Sequence, residues 1–268
     1  ADLLSDVAVK LKKSKYLRRL TGLRKLEMSI ENSYESGLLE PWVQWVSVHT
    51  GIPAVKHKIK NLGDIPNLRH KQIWEVLSDH KKTSIVWGAM NASLGEAKYC
   101  KIFVPDPWVF SEDPKPNDLQ SFIALPRYLA KNYTSLSKLI IIKLFMSFLK
   151  ETIAKVGLIS FLKGIGIIIS GLIKFGPKNL VFINFFDYLT ANVFVNSVEK
   201  EKPDFAFIFL NSIAHVQHHY WHSPNVSNLD ELIFTYKNIE RILSVMDKKL
   251  SIFSDKKPFL LFNGLAQN

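Results

Sequence analysis

The chain has 268 residues, is 47% hydrophobic and 12% aromatic, and carries 35 Lys and Arg against 24 Asp and Glu, a formal net charge of +11. That is enough apolar material for one large core, and the basic excess selects an anionic partner (phosphate groups, an acidic glycan, a membrane surface) unless it is simply a solvated Lys-rich surface. Nucleic acid is not expected, since no zinc-finger spacing, RNA-recognition aromatic signature or Arg-rich recognition helix is present, and the lone Cys100 excludes an intrachain disulfide or a CxxC site.

A single Cys at a strand start is an ordinary core residue and fits a reducing compartment. No secretory signal is visible at Ala1-Asp2-Leu3-Leu4, so a cytoplasmic or membrane-associated location is expected. The chain opens without Met and stops just after an apolar run, Phe259 to Phe262. One α/β domain over 1–268, incomplete at both ends, is the expectation.

Leu3 to Leu26 has apolar positions at helical spacing among many Lys and Arg, which predicts a basic amphipathic helix or helix pair. Trp42 to His49 reads as a short helix or strand before the turn Thr50-Gly51-Ile52-Pro53. His70 to His80 predicts a helix with Ile73, Trp74 and Leu77 on one face. Thr83 to Gly88 and Lys101 to Val104 predict strands, and the helix, strand, loop order predicts a parallel α/β arrangement. After the second strand, Pro105-Asp106-Pro107-Trp108 opens a polar, Pro-rich loop through Asn117, with Glu112, Asp113 and Asp118 in or beside it, that should be exposed.

Residues 119–200 read as several helices inserted in the domain as an apolar cap. The stretch from Lys138 to Lys178 is the most apolar, but Lys143, Lys150, Glu151, Lys155, Lys163 and Lys174 interrupt every run before the ~18 residues a transmembrane span requires. Half-buried helices fit this pattern, and so does a helix lying on a membrane surface. Gly164-x-Gly166-x-x-x-x-Gly171 lacks a preceding strand and the third-glycine spacing of a dinucleotide fingerprint. Asp204 to Leu210 predicts a buried strand, Asn228 to Phe253 a long amphipathic helix with Leu232, Ile239, Leu243 and Met246 inward, and Phe259 to Phe262 a closing strand. Together they predict a right-handed parallel crossover.

Four of the eight histidines, His215, His218, His219 and His222, follow the Asp204 strand directly. Open α/β sheets bind ligands at the carboxyl ends of their strands, and imidazole is a good ligand for zinc and similar metals. On a helical turn His215 pairs with His219, and His218 with His222, each on its own face. His215 and His218 could also converge. At most some of these residues then serve one ion. The alternative is a loop of partly exposed, hydrogen-bonded histidines beside Tyr220 and Trp221. Trp42, Trp45 and Trp87 are expected in the core.

A strand Asp204-Phe205-x-x-x-Phe209-x-Asn211 leading into Ala214-His215-Val216-Gln217-His218-x-Tyr220-Trp221 resembles the phosphodiesterase and sulfatase-like members of the alkaline phosphatase superfamily. Glu40 to Pro53, with its Thr50-Gly51 turn and His57 soon after, is similar to the superfamily's nucleophile segment. The 73–79 helix, the 85–88 strand, Asn91 and Pro105-Asp106-Pro107-Trp108 fit the next unit of the same fold. The resemblance runs from about Tyr34 to Phe262, apart from the apolar helices. It departs at the metal and nucleophile positions. Pro41 stands at the nucleophile's place, Ala214 where the metal-binding Asp belongs, and Asn263-Gly264-Leu265 where an Asp-His-Gly motif belongs. No strand with a metal-binding Asp precedes Leu3.

The resemblance implies an α/β fold with a mainly parallel sheet flanked by helices. It also implies a divergent metal-dependent hydrolase of phosphate or sulfate esters. A divalent ion, zinc or manganese, would be held by His218 with His215 or His219, and Glu40 or Thr50 would face it from the other loop. The substrate would be an anionic small molecule or glycan. The alternative is a catalytically inactive binding module on the same scaffold, for an anionic glycan, a lipid headgroup or a partner protein. Peripheral membrane contact through 138–178 is compatible with either.

Overall fold

The computed structural model describes residues 2–24, 40–220, 229–254 and 258–262. Trp221, His222, the 263–265 segment and the end of the expected N-terminal helix near Leu26 lie outside the described residues. The chain divides into two compact units. One comprises Met28–Glu151, Lys200–Phe209 and Gly264–Asn268, and the other Ala1–Glu27, Thr152–Glu199 and Leu210–Asn263.

The first unit is built on a three-stranded, wholly parallel sheet, β1 (Ser84–Ala89), β2 (Cys100–Pro105) and β3 (Phe205–Ile208), in the order β2-β1-β3. The fold is therefore α/β, with many helices around the sheet. Central β1 is buried along nearly its whole length, as a strand covered on both faces should be. Val86 pairs in register with Phe103 and Phe207. These three share one face with Trp74, Ala89, Ala92, Ala97 and Cys100. Trp74 comes from α5 (Ile73–Asp79). Trp45 and His49, from α3 (Pro41–Thr50), pack edge-on to Phe207 with ring centroids at 6.4 and 5.6 Å. On the opposite face Trp87 meets Phe122 of α6 (Gln120–Lys131), and Phe122 meets Phe148 of α7 (Lys138–Val156).

Local sequence explains these helices. Pro41 occupies the first turn of α3, where its missing N–H costs nothing, and Gly51 ends it at φ 68 with its N–H on the Ser47 carbonyl. Gln72 and Glu75 form a capping box at α5. The short α4 (Ala54–His57) follows α3. Gly88 has φ 70, a left-handed conformation in which a side chain would be strained. At the other end of β1, Asp204 accepts the Thr83 backbone N–H at 2.8 Å while Thr83 Oγ1 accepts the Asp204 N–H at 3.1 Å, which clamps β3 beside β1.

The second unit is helical: α1 (Asp2–Lys10), α2 (Lys15–Thr21), the end of α7, α8 (Leu158–Phe175), α9 (Asn179–Glu201, up to Glu199), α10 (Ser212–Tyr220) and α11 (Asp230–Leu250). The expected helix pair at the N-terminus is α1 and α2. Helix α9 buries residues around much of its circumference, including Asn184, Asp187 and Asn192. Asn184 donates to Thr235 Oγ1 at 3.0 Å, and Asn238 donates to the Asn184 carbonyl at 2.8 Å, stitching α9 to α11. Leu232, Ile239, Leu243 and Met246 are all buried, as their spacing predicts.

Several local expectations change. Trp42 to His49 takes the helical one of its two expected forms, but Ile73 is 41% exposed while its neighbour Trp74 is fully buried. Strand β3 lies at the sheet edge and is only half-buried, with Ala206 exposed. Phe259 to Phe262 forms no strand, so the predicted crossover is not made. The loop after β2 is not uniformly exposed: Asp106 and Val109 are buried. Lys115 bridges back to Phe103, and Arg127 donates to the Val109 carbonyl at 2.9 Å and to the Glu112 carbonyl.

Candidate functional site

All three strands run parallel, so their carboxyl ends lie on one edge of the sheet, where α/β proteins place their ligands. Two polar side chains of the first unit stand just beyond β1 and β2. Asn91 is buried at φ 48. It donates to the Trp42 and Asn61 carbonyls at 3.0 and 3.2 Å and accepts the Gly63 N–H at 3.1 Å. Those bonds occupy both of its donors and tie the start of α3 and the 61–63 turn to the strand end. Asp106, two residues before Trp108, is 4% exposed and accepts the Trp108 N–H at 2.7 Å. Burial pushes its carboxyl up to about 6, against the smaller opposing effect of that bond. The sequence signal for Asp106 was an acid directly after a strand and between two prolines. In the sequence it reads as part of the loop rather than as a site residue.

Glu40 and Thr50 sit at opposite ends of α3, about 15 Å apart by helix rise, so these two do not act on one atom. Glu40 is the N-cap residue and makes no side-chain capping bond. Thr50 is committed to the helix end: its hydroxyl donates to the Val46 carbonyl at 2.7 Å and accepts the Ile52 N–H at 3.1 Å.

The two histidines beside them are held neutral. His49 is 3% exposed among Trp45, Trp74 and Phe207. Burial lowers its pKa to about 4, outweighing a backbone hydrogen bond to Met90. Its Nε2 has no partner among the described residues. His57 Nδ1 accepts the Ile59 N–H at 3.0 Å, which leaves the ring proton on Nε2, 3.1 Å from Ser47 Oγ. Burial is the main cause of its lowered pKa, followed by the charge of His70.

The candidate ligands His215, His218 and His219 belong to the second unit, on α10. Helix α10 follows β3 in the chain with only Phe209, Leu210 and Asn211 between. Asp187 of α9 receives the N–H groups of Ser212 at 2.7 Å and Asn211 at 3.4 Å and so anchors the helix start. This carboxyl is buried, and burial raises its pKa to about 6. Like Asp106, it was not singled out from sequence, where it lies inside an apolar helix.

His215 and His219 share a face, as their spacing of four predicts. Their ring centroids are 4.3 Å apart. His219 Nδ1 lies 2.9 Å from the His215 carbonyl oxygen, which can only accept, so a neutral His219 keeps its proton there and a lone pair on Nε2. His215 is half-buried. Burial first, then the charges of His219 and His218, lower its pKa and favour the neutral, ligating form. His218 is exposed on a different part of the helix. Among the described residues no group of three or more His, Cys, Asp or Glu is arranged to hold a metal ion. Two imidazoles match zinc's preference for nitrogen donors and would supply at most two of its four ligands.

No family model, curated protein or solved structure matches this chain.

Proposed function

We propose that the chain is a divergent metal-dependent hydrolase of phosphate or sulfate esters, with an alkaline-phosphatase-like arrangement of its α/β fold. The observation that carries the reading is the His215–His219 pair, 4.3 Å apart on the helix that follows the edge strand of a parallel sheet. Burial favours the neutral form of His215, and a neutral His219, with its proton on Nδ1 towards the His215 carbonyl, carries a lone pair on Nε2. A zinc or manganese ion there would polarise the ester oxygen and lower the pKa of bound water. The chain's +11 charge favours an anionic substrate.

The non-catalytic binding module is the second reading. It is favoured by Thr50 and Asn91, whose hydrogen bonds are directed to the backbone.

Elemental analysis of the purified chain tests the proposal, with His219→Ala and His218→Ala as variants. About one metal ion per chain, lost in His219→Ala, and turnover of phosphate or sulfate diesters are expected. A chain that takes up no metal after reconstitution, or binds it equally well without His219, refutes the hydrolase reading and leaves the binding module.

A further inference from the structure

Helix α8 is 18 residues long with a mean hydropathy of 1.9, yet only 17% of it is buried. Its two sides differ sharply. Gly164, Ile167 and Gly171 face inward. Gly164 rests against Leu189 and Phe185, and Gly171 against Val181 and Phe234, so close that an added Cβ would collide. The outward side carries Leu158 (62% exposed), Ile159 (73%), Leu162 (56%), Ile169 (52%), Leu172 (37%) and Ile173 (82%). At 100° per residue these positions fall within an arc of about 140°, opposite the glycine side, with Lys163 about 40° beyond its edge. An exposed arc of large aliphatic side chains is unfavourable in water and marks an interaction surface.

The surrounding charge identifies the partner. Within the second unit, the stretch from Thr152 to Lys178 carries four lysines and no acidic residue. A protein partner would need an apolar groove with an acidic rim. An anionic bilayer offers both features over any area, with lysine stems lying along the acyl boundary and ammonium groups among the phosphates. Spanning does not fit. One side of α8 is locked onto α9 and α11, and Lys174 and Lys178 are tied to Asp230 and Glu231 at the start of α11, at 2.7 and 3.2 Å. Lys163 would also lie well inside the hydrocarbon. We infer that the outward face of α8 docks, without spanning, onto an anionic membrane surface. Helix α7 shows the same pattern separately, exposing Leu139, Ile140, Ile142 and Met146.

Flotation of the full chain with phosphatidylcholine vesicles, with and without phosphatidylserine, tests this. Binding that requires phosphatidylserine and weakens with salt is expected. Ile159→Glu with Ile173→Glu, at sites too exposed to matter for folding, should lower partitioning by at least about 100-fold, roughly tenfold per lost apolar side chain. Circular dichroism of that variant should match the parent. Release of the bound chain by alkaline carbonate is expected of docking, whereas retention indicates a span and overturns the inference. Binding indifferent to anionic lipid or to the two substitutions also overturns it. So does a soluble dimer that the same substitutions dissociate, since a second copy would then cover the face. None of these readouts depends on metal or turnover, so the docking surface and the hydrolase reading fail independently.

Discussion

His49 gives a pH dependence that can be worked from its surroundings. In the unfolded chain its imidazole titrates near 6.5, and in the fold near 4, because Trp45, Trp74 and Phe207 exclude water from it. Between those values the unfolded state holds a proton that the folded state does not. Stability from this site is therefore complete above about pH 6.5 and falls as the pH drops towards 4. The difference corresponds to roughly 3 kcal/mol. His49→Gln removes the titration while keeping a side-chain N–H for the Met90 bond. At neutral pH the variant should be less stable by about 1–3 kcal/mol, from lost packing. Near pH 4 that deficit should vanish or reverse. Asp106 and Asp187, with raised pKa values, act in the opposite direction over the same window. They are common to both proteins and cancel in the comparison. Urea denaturation followed by tryptophan fluorescence reads the effect locally, since Trp45 and Trp74 both contact the imidazole. A stability gap that is the same at both pH values would refute the picture of a neutral buried imidazole.

The glycines of α8 and the start of α2 give further expectations. Gly171→Ala places a Cβ about 2.6 Å from Val181 Cγ1 and should cost about 1–3 kcal/mol by overpacking, whereas Gly166→Ala meets open space and should gain up to about 1 kcal/mol of helix propensity. Thermal melts of the two variants should move in opposite directions. Glu240 of α11 receives the Tyr16 and Leu17 N–H groups at 2.9 and 2.8 Å, doing for α2 what its N-cap Ser14 does not. Glu240→Ala should cost about 1–2 kcal/mol and increase amide exchange in α2 first.

Helices with caps and periodicity were readable from the chain, because their signals are local. Leu232, Ile239, Leu243 and Met246 mark the inner face of α11, whereas Trp42 to His49 reads as either helix or strand although Pro41 and Gly51 bracket α3. Parallel pairing also followed from the alternation of helix and strand. Phe259 to Phe262 shows the limit of that reading: an apolar run has strand propensity, but only a neighbouring strand with free hydrogen-bonding groups makes it one. Ile73 shows another, since a helix turn has room for three apolar side chains while the sheet accepts chiefly Trp74. In the candidate site, spacing predicted the shared face of His215 and His219. It did not reveal Asp106 and Asp187, because what sets an acid's character is burial, and burial is not written at the acid's own position.

The linear chain established a basic α/β protein with a parallel sheet, histidines after the third strand, and an apolar stretch punctuated by lysine, within which α8 is nonetheless long and apolar enough to meet the length and composition of a span. Those properties depend on composition and on periods of a few residues. Tertiary structure decided which side of α8 the glycines would lock and which would remain in solvent. It also put β3 at the sheet edge and closed His49 off from water. Each of these depends on contacts between residues far apart in the chain, where burial and partner geometry, rather than residue type, set the energy.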